Sequence, residues 1–148
     1  MNAIAVAVSR ERVRAGISDE RLASAVRLTL RAEGVARALV SVTLVTAPRI
    51  SAMNARHLGH RGATDVISFG FTRERGAAVV ADIYIAPAVA SRNARRHGVG
   101  VREELVRLAV HGTLHALGYD HPDGDERVRS PMWRRQELLV RRAMRIPA

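Results

Sequence analysis

Cysteine and lysine are both absent from this sequence of 148 residues. Without cysteine, the chain can form neither disulfide bonds nor thiolate metal sites. Aromatic residues make up only 3% of the sequence, which argues against broad platforms for stacking nucleobases. No stretch approaches the roughly 18 uninterrupted apolar residues of a membrane span, and residues 1–8 lack the basic leader of a signal peptide. We therefore expect one cytoplasmic domain without a membrane partner.

The basic residues are all arginines. They number 24 against 14 acidic residues, which gives a formal net charge of +10. A GC-rich genome can account for arginine in place of lysine, but it does not account for the surplus. That surplus favours binding to polyanions through counterion release, and a guanidinium binds phosphate bidentately. Nucleic acid is therefore the leading partner class, and a basic protein without such a partner is the alternative. Five arginines between residues 134 and 145 form either an RNA track or a solvated face.

Hydrophobic periodicity and turn residues predict a single α+β domain of about four strands and five helices. Strands are predicted at residues 3–8, 38–46, 65–71 and 78–85, with a hairpin turn at residues 73–76 between the last two. Helices are predicted to begin at Ser18, Pro48, Pro87, Val101 and Ser130-Pro131. The first strand–helix–strand stretch favours parallel pairing.

Three histidines near the predicted fourth helix suggest a metal site. His111 and His115 are four residues apart, so their rings project from the same helical face about one turn apart. Gly118 is placed to end the helix in a left-handed conformation, which can return His121 to the same point. Three imidazoles with an open fourth position are typical of a catalytic zinc site, although imidazole also suits copper, nickel and iron. Ordinary histidines on a half-buried helix are the alternative.

The same histidine spacing occurs in metzincin peptidases, and Met132 downstream can imitate their Met-turn. Those enzymes require a glutamate directly after the first histidine, because its carboxylate is the general base. Gly112 occupies that position here. The sequence therefore argues against a peptidase.

The segment from His111 to His121 resembles the signature of the YbeY family of bacterial endoribonucleases, with Ala116 in place of a leucine. Further segments are similar in order along the chain: Met53-Asn54, residues 64–69, residues 81–83, and Met132 with Glu137. The resemblance covers roughly residues 40–140. It implies a small, mostly parallel mixed sheet packed with helices, and zinc-dependent cleavage of single-stranded RNA. It also implies roles in ribosomal RNA maturation and ribosome quality control, with ribosomal RNA and the ribosome as partners.

One departure from that family lies in the predicted second helix. Many members carry Tyr-Arg where this chain has His57-Leu58, and that arginine is thought important for activity. Arg56 and Arg61 lie nearby and are candidates to compensate. Leu58 therefore keeps a second hypothesis open, in which the protein is a non-catalytic, zinc-stabilised ribosome-assembly factor that binds RNA.

The mechanistic hypothesis places zinc-activated water, with a pKa lowered toward ~7, or a ribose 2′-OH at the scissile phosphate. His111 and Asp120 are the candidate catalytic residues; Asp120 either orients a ligand and handles a proton, or only caps the turn after Gly118. Asp82 is expected either to hydrogen-bond a metal-bound histidine or to be a structural residue at a strand end. Ser68 is expected to line the cleft, and arginine side chains to stabilise charge on the phosphoryl oxygens.

Overall fold

The computed structural model describes residues 3–59, 62, 64–71 and 76–147, and in them the chain forms one four-stranded sheet. Its strands are β1 (Ala3–Arg10), β2 (Arg37–Leu44), β3 (Val66–Gly70) and β4 (Val79–Ile85). The order across the sheet is β1-β2-β4-β3. β1 with β2 and β2 with β4 are parallel, whereas β3 and β4 are antiparallel. The small, mostly parallel mixed sheet is confirmed; residues 73–75 of the predicted hairpin turn lie outside the described residues.

In the described part of the chain, five α-helices accompany the sheet, as the sequence predicts. They are α1 (Asp19–Ala32), α2 (Ala47–Leu58), α3 (Pro87–His97), α4 (Val101–Ala116) and α5 (Pro131–Met144). The Ser18 side chain caps α1 by accepting a hydrogen bond from the Arg21 amide, and Gly59 and Gly98 end α2 and α3 in left-handed conformations. Within the described residues, no helix combines the length and the apolar composition that a membrane span requires.

A short 3₁₀ helix at Gly124–Arg129 precedes α5 and was not predicted. The segment has no buried residue and therefore no hydrophobic period that a sequence pattern can detect. Ser130 joins it to α5, because the Ser130 hydroxyl donates to the Arg127 carbonyl and accepts from the Trp133 amide, at 2.7 and 3.1 Å. This junction fixes the direction in which α5 leaves the 3₁₀ helix.

Helix α4 lies at the centre of the molecule, between the sheet and the helices α1, α3 and α5. Residues 108–114 are buried without interruption, which is the pattern of a helix covered on all sides. Gly112 lets α4 lie against the sheet: a β-carbon added there would be 2.8 Å from Cγ2 of Ile83 on β4. The C-terminal half of α4 is thereby fixed against β3 and β4.

A second, smaller apolar cluster lies on the other face of the sheet, where α2 and α3 meet β3. Its buried members are Val45, Ile50, Met53, Ile67, Ala86 and Val89. Asn54 follows this cluster on α2, and its amide donates to the Gly62 carbonyl at 3.0 Å. Residues near the C-terminal end of α2 thereby line the same cleft as residues near the C-terminal end of α4.

Candidate metal centre

His111, His115 and His121 converge. One ring nitrogen from each lies within 4.8 Å of the others, and the ring centroids are 4.6 to 5.2 Å apart. His111 and His115 lie on successive turns of α4, as their spacing predicts. Gly118 has a φ of +103°, and the reversal it permits brings His121 back to the helix end.

Gln136 on α5 orients the His111 ring. Nδ1 of His111 lies 2.6 Å from Oε1 of Gln136, and Nε2 of Gln136 donates to Glu137 at 3.0 Å. The Glu137 carboxylate can only accept hydrogen bonds, so the NH2 group of Gln136 faces Glu137. The side-chain oxygen of Gln136 therefore faces His111. Nδ1 of His111 therefore carries the proton, and Nε2 keeps a lone pair for a metal ion.

The loop after α4 fixes the third ring. Nδ1 of His121 donates a hydrogen bond to the Pro122 carbonyl at 3.0 Å. Nε2 of His121 therefore keeps a lone pair that can bind a metal ion. Oδ1 of Asp120 accepts a hydrogen bond from the His121 amide at 2.8 Å. Asp120 thus caps the turn after Gly118, and it also lines the cleft into which the histidines face.

Burial keeps the helical histidines neutral. Desolvation lowers the pKa of His111 from 6.5 to about 4, against the opposing effect of the hydrogen bond to Gln136. Desolvation, with the nearby His121 ring, also lowers the pKa of His115. Since metal ions bind neutral imidazole, two rings are ready to act as ligands at neutral pH. Three convergent imidazoles, one of them oriented by a glutamine, fit a divalent transition-metal ion.

The histidines face a cleft of about 680 Å³ between α2, β3, α4 and the loop leading to the 3₁₀ helix. Ser68 lines it, and its hydroxyl donates to the Gly112 carbonyl at 2.7 Å. Leu58 also lines the cleft, with 47% of its surface exposed. Arg127 also lines the cleft and forms no ion pair within the described residues. The cleft therefore combines metal ligands with a cation.

Two other predicted site residues, Asp82 and Arg56, are not brought to the histidines. Asp82 accepts a hydrogen bond from Ser41 at 2.7 Å, and it points away from α4 because its neighbour Ile83 points toward that helix. This corrects the expectation that Asp82 contacts a metal ligand and supports its structural alternative. Arg56 is exposed on α2 and does not line the cleft. Arg61 lies outside the described residues.

Two residues of the site were missed by sequence reasoning. No motif in the sequence marks Gln136, and its position beside His111 depends on the packing of α5 against α4. Arg127 lies in the unpredicted 3₁₀ helix. Its closeness to His121 in sequence was the available signal. However, six of the ten residues that flank it (122–126 and 128–132) are polar or glycine and two are proline, so no element was predicted at Arg127.

Comparisons with known proteins agree on one family. The model of the family described as Endoribonuclease YbeY matches residues 7–143. A protein named Endoribonuclease YbeY from Chlorobium phaeobacteroides is 33% identical over 84% of this chain and 87% of its own length. Its namesake from Desulfitobacterium hafniense is 37% identical over 84% of this chain and 82% of its own length. A namesake from Thermobifida fusca is 39% identical over 73% of this chain and 76% of its own length.

The fold has a counterpart among solved structures. The solution structure of a protein from Thermotoga maritima superposes with a TM-score of 0.60 at 24% identity, covering 94% of this chain and 89% of that one. That likeness supports the α+β fold alone. With the family model spanning most of the sequence and the histidines converging on one cleft, the chain belongs to the YbeY endoribonuclease family.

Proposed function

We propose that the chain is one zinc-dependent endoribonuclease domain that cuts single-stranded RNA in the cytoplasm, in ribosomal RNA maturation and ribosome quality control. The observation that carries the proposal is the convergence of His111, His115 and His121 on a cleft, in a member of an endoribonuclease family. The net charge of +10 supports a polyanionic substrate. Ribosomal RNA and the ribosome are the proposed partners.

The three histidines would hold one Zn²⁺, His111 and His121 through Nε2, because their Nδ1 atoms already donate to Gln136 and Pro122. When bound, zinc acts as a Lewis acid and lowers the pKa of water toward ~7. His111 is the most buried of the three ligands, with 5% of its surface exposed. Its ring therefore anchors the inner side of the site.

Two further side chains supply the remaining chemistry. The Arg127 guanidinium, which has no carboxylate partner in the described part of the chain, would bind the non-bridging oxygens of the scissile phosphate. Asp120 uses Oδ1 to hold the His121 amide, and Oδ2 can accept the proton of the attacking water or ribose hydroxyl. Ser68 holds the Gly112 carbonyl and shapes the cleft wall.

A non-catalytic ribosome-assembly factor is the second candidate, and Leu58 is the observation that favours it. Leu58 lines the cleft at the position where the resemblance predicts arginine in many relatives, and its side chain supplies no charge there. In this alternative the zinc ion stabilises the fold and the arginine surface binds RNA. Arg127, which also lines the cleft, supports the enzyme instead.

The test is incubation of zinc-loaded protein with a single-stranded RNA, beside the same RNA annealed to its complement. We expect cleavage of the single strand, and loss of cleavage in His115→Ala and after chelation. Arg56→Ala is a matched control, since Arg56 is exposed outside the cleft, and it should cleave like the wild type. Elemental analysis of the purified protein identifies the metal.

The outcomes separate the candidates. Cleavage that survives both chelation and His115→Ala contradicts the metalloenzyme. RNA binding without cleavage, at full zinc content, favours the assembly factor. A 2′-deoxy residue at the cut site distinguishes the nucleophile, because it blocks attack by the ribose hydroxyl but not by water.

A further inference from the structure

A second cleft, of about 500 Å³, opens on the other side of His111. It shares Asp65, His111 and Arg127 with the metal cleft, so the two are continuous at the candidate metal centre. Its size falls in the range of small-molecule sites, which is roughly 300–1,000 Å³. Its walls come from α3, α4, α5 and the 3₁₀ helix. A strand of RNA that reaches the histidines therefore has a recess beside it.

Trp133 supplies an aromatic wall to this second cleft. It is the single tryptophan of the chain and is only half buried, although it lies in the first turn of α5. Its backbone is held at the start of α5, because its amide donates to the buried Ser130 hydroxyl. The Arg127 guanidinium lies 6.0 Å from the ring centroid, at cation–π distance. Trp133 is one helical turn before Gln136, the residue that orients His111.

The charges of the second cleft suit a base more than a row of phosphates. Arg107 is neutralised, since its guanidinium bonds to Glu137 at 2.8 and 2.9 Å and to Glu103 and Glu104 at 3.1 Å. Of the three arginines that line the second cleft in the described residues, Arg96, at the rim, and Arg127, at the junction of the two clefts, form no ion pair.

The polar groups that remain suit the edge of a base. Asn93 donates to the Asp65 carboxylate at 3.1 Å, and both line the second cleft. The amide and the carboxylate together offer hydrogen-bond donors and an acceptor beside an aromatic wall, which is how single-stranded bases are bound. A nucleobase can thus be stacked and hydrogen-bonded in the same recess.

We propose that the second cleft is a nucleobase subsite, in which an unpaired base next to the scissile phosphate stacks on Trp133. The position of that phosphate rests on the proposed function. The RNA backbone passes Arg127 at the junction, and Arg96 contacts the following phosphate. A base paired in a duplex cannot enter the recess, so the subsite selects single strands. It also places one nucleotide in register with the three histidines.

The single tryptophan makes the subsite directly observable. Zinc-loaded, full-length protein is titrated with a single-stranded DNA oligonucleotide of about ten nucleotides, within the site sizes of single-strand binders. A second titration uses an abasic oligonucleotide of the same length and charge. We expect the base-containing strand to quench Trp133 fluorescence and the abasic strand to leave it unchanged. Equal quenching by both strands, or no quenching while a labelled strand binds by anisotropy, overturns the proposal.

Variants test whether the ring itself binds the base. Trp133→Ala is expected to weaken binding of the base-containing strand by roughly tenfold, the effect of losing one stacked base. It should not change binding of the abasic strand. Trp133→Phe keeps a ring and should bind like the wild type, and Leu138→Ala, exposed on the same helix, is the matched control. Equal weakening for both strands would mean that Trp133 is only structural, and would overturn the subsite.

Failure of the subsite and failure of the proposed function are distinguishable. If the wild type cleaves single-stranded RNA and Trp133→Ala cleaves it with unchanged kcat and KM, the subsite is wrong and the enzyme stands. If base-dependent quenching is seen but no RNA is cut, the subsite stands as a binding site and the nuclease proposal fails.

Discussion

At the residue scale, the hydrogen bond between His111 and Gln136 links the candidate metal centre to the rest of the molecule. Gln136 donates to Glu137, Glu137 accepts from Arg107, and Arg107 also holds Glu104. The His111 ring therefore ends a chain of polar contacts that joins α4 to α5. Because the ring is already fixed in one orientation and tautomer, metal binding does not have to order it, and less conformational entropy is lost on binding.

We predict that Gln136→Leu weakens zinc binding, because Nδ1 of His111 loses its acceptor inside the protein. Loss of an outer partner of a ligand typically costs 10–100-fold in metal affinity, and we expect a value of about tenfold here. Gln136→Glu keeps an acceptor at this position and should retain the affinity. Competition with a chromogenic chelator measures both, with Leu138→Ala as the control on the exposed face of α5. Unchanged affinity in Gln136→Leu would show that the ring is oriented without Gln136.

His111 also makes stability depend on pH. Its pKa is lowered to about 4 in the folded protein, against 6.5 in the unfolded chain, so between these values the unfolded state binds more protons. Stability is therefore lost as pH falls from 6.5 toward 4, by roughly 3 kcal/mol for this group. Urea unfolding of chelator-treated protein at pH 7 and pH 4.5 measures the loss. His111→Gln should show a smaller loss than the wild type, and an equal loss would assign the effect to other groups.

Site residues that are close together in sequence could be predicted, whereas those that meet only through packing could not. His111 and His115 are fixed by the geometry of one helix, and His121 by a glycine turn, so local rules were sufficient. Gln136 reaches His111 across 25 residues of sequence. Its position depends on the packing of α5 against α4, which no local pattern contains.

At the element scale, the close approach of α4 to β3 holds the ligand helix against the sheet. A β-carbon on Gly70 would lie 2.5 Å from the Ala116 carbonyl oxygen and 3.0 Å from its Cα. These are backbone atoms, which cannot rotate away as the end of a side chain can. Nearby, Ser68 hydrogen-bonds the Gly112 carbonyl, so β3 and α4 are joined at two points.

We predict that Gly70→Ala destabilises the protein by about 1–3 kcal/mol, the usual cost of overpacking, because β3 and the end of α4 must separate. The separation should also displace His115 and lower metal affinity. Gly16→Ala is the matched control, since nothing lies within 4 Å of its added β-carbon, and it should change stability by less than about 1 kcal/mol. Equal stability of Gly70→Ala and the wild type in urea would mean that α4 is not held by this contact.

Helices and strands could be predicted where the hydrophobic periodicity and the capping residues agree. The direction of one side chain, Asp82, could not be predicted. Ser18 caps α1, and α3 and α4 begin at Pro87 and Val101, as the sequence predicts. Asp82 was placed at the correct strand, but its direction depends on which face of β4 meets α4. The strand period puts Ile83 on that face and Asp82 on the other, and only packing decides between the two.

At the scale of the whole molecule, the arginine surplus is unevenly distributed. Arg10, Arg27, Arg49, Arg107 and Arg135 form ion pairs with carboxylates. In the last turn of α3, Arg95 and Arg96 form none within the described residues, and Arg96 lines the second cleft. Near the end of α5, Arg142 instead lines a separate recess with Arg27 and Arg31 of α1. The composition predicted a polyanion partner, but it did not indicate which of these surfaces lies beside the histidines.

We predict that RNA binding is strongly dependent on salt and that α3 contributes to the dependence. For three to five phosphate contacts, affinity for single-stranded RNA should fall roughly 20- to 100-fold between 50 and 200 mM salt. Anisotropy of a labelled RNA with chelator-treated protein measures the slope without cleavage. Arg95→Gln with Arg96→Gln should reduce the slope by about 0.7 for each contact removed, whereas Arg141→Gln with Arg142→Gln should leave it unchanged. The reverse result would place the RNA along α5, and a slope near zero in the wild type would contradict polyanion binding altogether.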